Sequence, residues 1–168
     1  GIMPRRIKLG IIGGGGGSLI GVLHRVAAYI NDNYELVGAV FSPKIQESLD
    51  FAKEIDMPTN RIYEDVDALI SAELKLPKEE RIQVCSVQTP NFLHFPMAKK
   101  LLENGFHVIC EKPMTMTYAE AKELADAHEK SGKVFALTHT YTGYPMVRQM
   151  REMIKAGALG KIHKVDAR

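Results

Sequence analysis

Residues 13–17 are five consecutive glycines, and Ser18, Leu19, Ile20 and Gly21 follow them directly. Glycine lets a backbone approach a bound group with no Cβ in the way. An apolar run at 7–12 precedes the glycines, and Val22, Val26 and Ile30, four apart, come after them. A helix start has unpaired N–H groups and a partial positive charge, so a phosphate there gains about 0.3–1 kcal/mol. Strand, glycine loop and helix in that order is the logic of a dinucleotide or nucleotide phosphate site. Gly13 and Gly15 fit the first two places of G-x-G-x-x-G. The third place falls on Ser18, and Gly21 fills it only if the loop is three residues longer than usual. No Lys-Ser or Lys-Thr follows, which excludes a P-loop for a triphosphate. The bland alternative is a turn with no ligand.

Four further stretches carry polar residues at strand ends. They are Ser42-Pro43-Lys44, Thr89-Pro90-Asn91 with His94, Glu111-Lys112-Pro113, and the loop holding His139, Tyr141 and Tyr144. Lys112 follows an apolar strand, and Pro113 fixes the chain after it. A lysine so placed can bind an alcohol or carbonyl oxygen, and partial burial lowers its pKa towards proton transfer. Its bland alternative is a solvated turn lysine. His94, one turn into a helix, could equally cap or pack. His139, Tyr141 and Tyr144 shape a pocket or form an ordinary polar loop.

The elements that must position these residues alternate regularly. Strands are expected at 8–12, 35–41, 59–63, 82–87, 107–110 and 134–138, with a weaker one beginning at 161–167. Helices are expected at 21–31, 44–55, 93–104, 145–156 and two others. Asp65 caps the first of these two, with Val66, Leu69, Ile70 and Leu74 on one face. Thr117 caps the second, with Glu120 three residues on in a capping box. Gly105 suits the end of the 93–104 helix. This alternation predicts an α/β fold, a doubly wound parallel sheet. Ligands of such sheets lie outside the C-terminal ends of the strands, where all five polar stretches fall.

The chain has 168 residues, 45% hydrophobic and 25% charged, with a net charge of +2. That suits one soluble domain with a sizeable core. The balance gives no basic field for a nucleic acid, and no apolar run is long enough to span a bilayer. No signal peptide is seen, and Met3 reads as the natural start. A cytoplasmic location is expected, with Cys85 and Cys110 reduced and buried. His24, His107, His128 and His163 have no partner at metal spacing, so no metal is expected.

Thr89-Pro90-Asn91 with His94, followed by Glu111-Lys112-Pro113, resembles the glucose–fructose oxidoreductase / inositol dehydrogenase family of nicotinamide-dependent oxidoreductases. The glycine loop with Gly21 and His24, and the GALG stretch at 157–160, fit the same family. The stretch HTYTGYPMVR at 139–148 looks like a subgroup with a longer glycine loop. The resemblance implies a dinucleotide-binding domain at 1–160, with 161–168 leading into a second domain that supplies an Asp and a His. It implies hydride transfer between nicotinamide and a sugar, polyol or related small molecule, with Lys112 catalytic. Gly13, Gly15, Ser18, Leu19, Ile20, Ser42, Lys44, Thr89, Pro90, Asn91, His94, Glu111 and Lys112 would hold the cofactor, with Thr89, Pro90 and Asn91 beside the nicotinamide. A homo-oligomer is expected, with no nucleic-acid or membrane partner. NAD-preferring folds of this kind end the second strand with an acid for the ribose 2′-OH. Phe41-Ser42-Pro43-Lys44 has none, which tilts the expectation from NAD to NADP. The rival readings are a non-catalytic dinucleotide sensor and a methyltransferase.

Overall fold

The computed structural model describes residues 6–13, 34–88, 91–111, 116–138 and 163–166. Two compact units make up the chain, Gly1–Val84 and Cys85–Arg168.

In the first unit, β1 (Ile7–Gly13) is buried along nearly its whole length, as a strand covered on both faces must be. It pairs in parallel with β2 (Tyr34–Val40), from Ile7↔Tyr34 to Ile12↔Val40. The register slips between Leu9 and Gly10, so that Val37 of β2 has no opposite number. Gly10 and Gly38 face one another just past the slip, and the buried Ile82 side chain fills the space they leave. A Cβ on Gly38 would stand 3.0 Å from Ile82 Cδ1 and 3.1 Å from the Arg61 carbonyl oxygen.

Helix α1 (Ile45–Glu54) turns Ser48, Phe51 and Ala52 inward. The Phe51 ring meets Phe41 edge-on, with centroids 4.6 Å apart. Helix α2 (Val66–Leu74) begins as expected at Asp65, whose carboxylate accepts from the Ala68 N–H at 2.7 Å. Two expectations are corrected here. The stretch at 59–63 is no strand but a single bridge, Ala39↔Ile62. The Ile62 N–H closes a turn onto the Thr59 carbonyl, which a continuous ladder cannot contain. On α2, Leu74 is 40% exposed, and the fourth buried position belongs to Glu73.

Glu73 is fully buried because its carboxylate is saturated. It accepts from Arg61 Nε at 3.1 Å and from Arg61 Nη2, from the Tyr63 hydroxyl, and from the Ile82 N–H at 2.8 Å. Burial pushes its pKa up, but these donors outweigh burial and hold it below the usual carboxylate range. Burial and the bond to Glu73 push Tyr63 up to about 12.

In the second unit, β3 (Val84–Gln88) starts two residues later than expected, because the Ile82 N–H goes to Glu73 rather than to the sheet. Helix α3 (Asn91–Glu103) ends at Gly105, whose φ of 92° is the left-handed conformation a terminating residue needs. Strand β4 (His107–Glu111) leads to α4 (Tyr118–Ser131). The capping box of α4 is complete: Thr117 Oγ1 accepts from the Glu120 N–H at 3.1 Å, and Glu120 Oε1 from the Thr117 N–H at 2.9 Å. Strand β5 (Val134–Thr138) runs parallel to β4, and β6 (His163–Asp166) parallel to β5. The weakly expected strand at 161–167 is thus present as β6.

The sheet has six strands in the order β2-β1-β3-β4-β5-β6. With the Ile62 bridge counted outside β2, this is the doubly wound order expected from the alternation. Cys85 and Cys110 are buried and form no disulfide, and burial pushes Cys110 up to about 12. Among the described residues no helix is long and apolar enough to cross a membrane, and no group of three or more His, Cys, Asp or Glu side chains could hold a metal.

Candidate functional site

In the first unit, two of the expected stretches begin at the same end of the sheet. Ile12 pairs with Val40, so β1 and β2 finish level. Gly13 closes β1 at a φ of 87°, in the left-handed region that glycine enters without strain. It turns the chain out of the strand at the start of the glycine run. Gly15, Ser18, Leu19, Ile20, Gly21 and His24, with the helix expected at 21–31, lie outside the described residues.

Past β2 the chain is fixed by its own side chains. The Ser42 N–H donates to Ser48 Oγ at 2.8 Å, and Ser48 Oγ donates back to the Ser42 carbonyl at 3.2 Å. Ser48 is fully buried, so this pair ties the end of β2 to the first turn of α1. Ser42 Oγ donates to Glu47 Oε2 at 2.8 Å and accepts from the Lys44 N–H at 3.2 Å. Lys44 Nζ stands 3.8 Å from Glu47 Oε1. No acid stands within 41–44, as expected, but one from further along the chain reaches Ser42. Glu47 is the third residue of α1, and the helix carries its carboxylate back over the strand end. The signal in the sequence was an acid three residues after a helix start, a position whose side chain reaches backwards.

In the second unit, Glu111 of β4 pairs with Thr138 of β5, and Lys112 and His139 are the residues that follow each in the chain. Two of the stretches expected to carry chemistry thus leave neighbouring strands at one level. Asn91 opens α3 and His94 lies three residues on, within its first turn. Thr89, Pro90, Lys112, Pro113, His139, Tyr141 and Tyr144, with the helix expected at 145–156, lie outside the described residues. His107, at the opposite end of β4, is buried, and its Nδ1 accepts from the Val134 N–H at 2.9 Å. Burial and the nearby Lys133 charge push its pKa down to about 4, so it is a neutral structural histidine.

The model of the oxidoreductase family with an NAD-binding Rossmann fold matches residues 7–139. The chain belongs to this Gfo/Idh/MocA oxidoreductase family. It is 35% identical over 167 residues to the oxidoreductase YfiI of Bacillus subtilis, covering 98% of this chain and 42% of that one. It is 30% identical to the D-glucoside 3-dehydrogenase of Escherichia coli, covering 96% of this chain and 43% of that one. An inositol dehydrogenase homolog from Azotobacter vinelandii, solved with NADH and myo-inositol, superposes with a TM-score of 0.72 at 34% identity, over 92% of this chain and 40% of that one. The chain therefore spans about two-fifths of the length of these relatives.

Proposed function

We propose that the chain binds a nicotinamide dinucleotide across the C-terminal ends of its strands, as the cofactor-holding part of a sugar or polyol dehydrogenase. The observation that carries this reading is the family match over 7–139, on a parallel sheet whose β1 ends at Gly13 and opens into the glycine run. The pyrophosphate falls at Gly13, Gly15, Ser18, Leu19 and Ile20, and the adenosine ribose beside the end of β2. Thr89, Pro90, Asn91 and His94 lie on the nicotinamide side.

Lys112 is the catalytic residue in this reading. It holds the substrate oxygen and exchanges its proton as the hydride moves between nicotinamide C4 and the carbon bearing that oxygen. Glu111 orients Lys112 or a ribose hydroxyl, and His139, Tyr141 and Tyr144 line the substrate side. A sugar, polyol or related small alcohol is the substrate class, by analogy with the D-glucoside 3-dehydrogenase and the complex with myo-inositol. Residues 1–160 form the dinucleotide-binding domain, and 161–168 lead towards a second domain that completes the catalytic group and makes a homo-oligomer in the cytoplasm.

Calorimetric titration of the purified protein with NADH, NADPH and S-adenosylmethionine tests the reading. Binding of at least one dinucleotide, with none of the sulfonium compound, is the expected result. Preference for S-adenosylmethionine, or no binding at all, would overturn it.

A further inference from the structure

We infer that Glu47 selects the cofactor, admitting a dinucleotide with a free ribose 2′-hydroxyl and rejecting one phosphorylated there. The inference rests on the dinucleotide reading above and reverses the lean towards NADP. Ser42 and Lys44 are the groups at the end of β2 that a 2′-phosphate would need. Both already face Glu47: Ser42 Oγ donates to Oε2 at 2.8 Å, and Lys44 Nζ stands 3.8 Å from Oε1. The second Ser42 contact is also taken, by the Lys44 N–H at 3.2 Å.

Moving the carboxylate away gives up the bond from Ser42 Oγ and the pairing with Lys44. It belongs to the first turn of α1, where an acid is favoured by the helix dipole. Ser48, fully buried, holds the Ser42 peptide group from both sides, so the strand end cannot withdraw to make room. A 2′-phosphate would bring nearly two negative charges against Glu47 and compete with it for the same hydroxyl and ammonium. A 2′-hydroxyl does the opposite. It donates a proton to a carboxylate, and among the described residues the contact at Oε1 is the longer one from Lys44. Glu47 thus takes the place of the acid that other folds of this kind carry at the strand terminus itself.

Dissociation constants of NADH and NADPH, measured by calorimetry on the purified protein and on Glu47→Gln, test this. The unaltered protein is expected to bind NADH at least about tenfold more tightly than NADPH. Glu47→Gln is expected to shrink that ratio by about tenfold, mainly by strengthening NADPH. Both ligands are compared on one preparation, so a partly misfolded variant cannot imitate the change. Should Glu47→Gln fail to fold, salt supplies the second readout on the unaltered protein. Screened repulsion from Glu47 makes added salt narrow the NADH preference, whereas attraction to Lys44 would make salt weaken NADPH selectively. NADPH binding as tightly as NADH, a ratio unmoved in Glu47→Gln, or selective loss of NADPH with salt would each overturn the inference. If neither dinucleotide binds, the dinucleotide reading falls with it, an outcome distinct from binding without discrimination.

Discussion

Replacing Glu73 by Gln keeps the side chain's shape and removes its charge. Among the described residues, four donors meet the carboxylate: Arg61 Nε and Nη2, the Tyr63 hydroxyl and the Ile82 N–H. A glutamine offers one oxygen to them and turns an NH2 group towards the rest. The charge-assisted bonds to Arg61 weaken, and at least one buried donor loses its acceptor. Breaking a buried ion pair from one side costs about 3–5 kcal/mol. The Arg61 side chain keeps 19% of its exposure and can partly rehydrate, which places the loss near the lower figure, about 3 kcal/mol. For a chain of this size that lowers the melting temperature by roughly 6–12 °C. Scanning calorimetry of the purified protein and of Glu73→Gln reads the difference. Arg61→Met combined with Glu73→Gln should cost less than the sum of the single changes, because neither leaves the other's charge buried alone. A loss under about 1 kcal/mol for Glu73→Gln would show that the carboxylate is not what holds the Ile62 bridge and the start of β3 in place.

His107, Glu73 and Tyr63 each make stability depend on pH. His107 has its folded pKa lowered from 6.5 to about 4, so its contribution is complete above pH 6.5 and lost as pH falls towards 4; Glu73, also depressed, adds loss below 4.5. Tyr63 is raised from 10.0 to about 12, so stability declines as pH rises through that interval. Urea midpoints between pH 3 and pH 8 should fall on the acid side, and His107→Gln should flatten the segment between about 6.5 and 4. Gly38→Ala brings a Cβ within 3.1 Å of the Arg61 carbonyl, a backbone atom that cannot turn aside, and should cost about 1–3 kcal/mol by denaturant unfolding. Thr117→Ala removes the acceptor for the Glu120 N–H and should cost about 1 kcal/mol, with Thr117→Ser close to neutral in the same assay. On the proposed reading, Lys112→Met in the full-length protein should abolish turnover of any substrate found, as a nicotinamide absorbance assay would show.

What the sequence revealed and what it hid divide along one physical line. Within a single element, periodicity and caps suffice. The apolar run of β1, the Asp65 cap, the Thr117–Glu120 box and the turn at Gly105 all appear where their residue types placed them. The ends of the strands were therefore legible, and with them the positions of Gly13, Ser42, Asn91 and Glu111. What escaped were side chains that act across the joint between two elements. Glu73 occupies a stripe position meant for an apolar residue, because Arg61, Tyr63 and Ile82, nine to twelve positions away, converge on it. The same convergence explains the lost strand at 59–63 and the late start of β3: backbone groups that a ladder would use are drawn to a turn and to a carboxylate. Glu47 escaped for the same reason. Reading on from the end of β2 finds Ser42 and no acid, whereas the first turn of the next helix returns an acid to that spot. An acid at the third position of a helix that starts within a few residues of a strand end belongs, in space, to the strand. On the inference drawn for Glu47, cofactor preference in this chain is a property of the strand end and the first turn of α1 together.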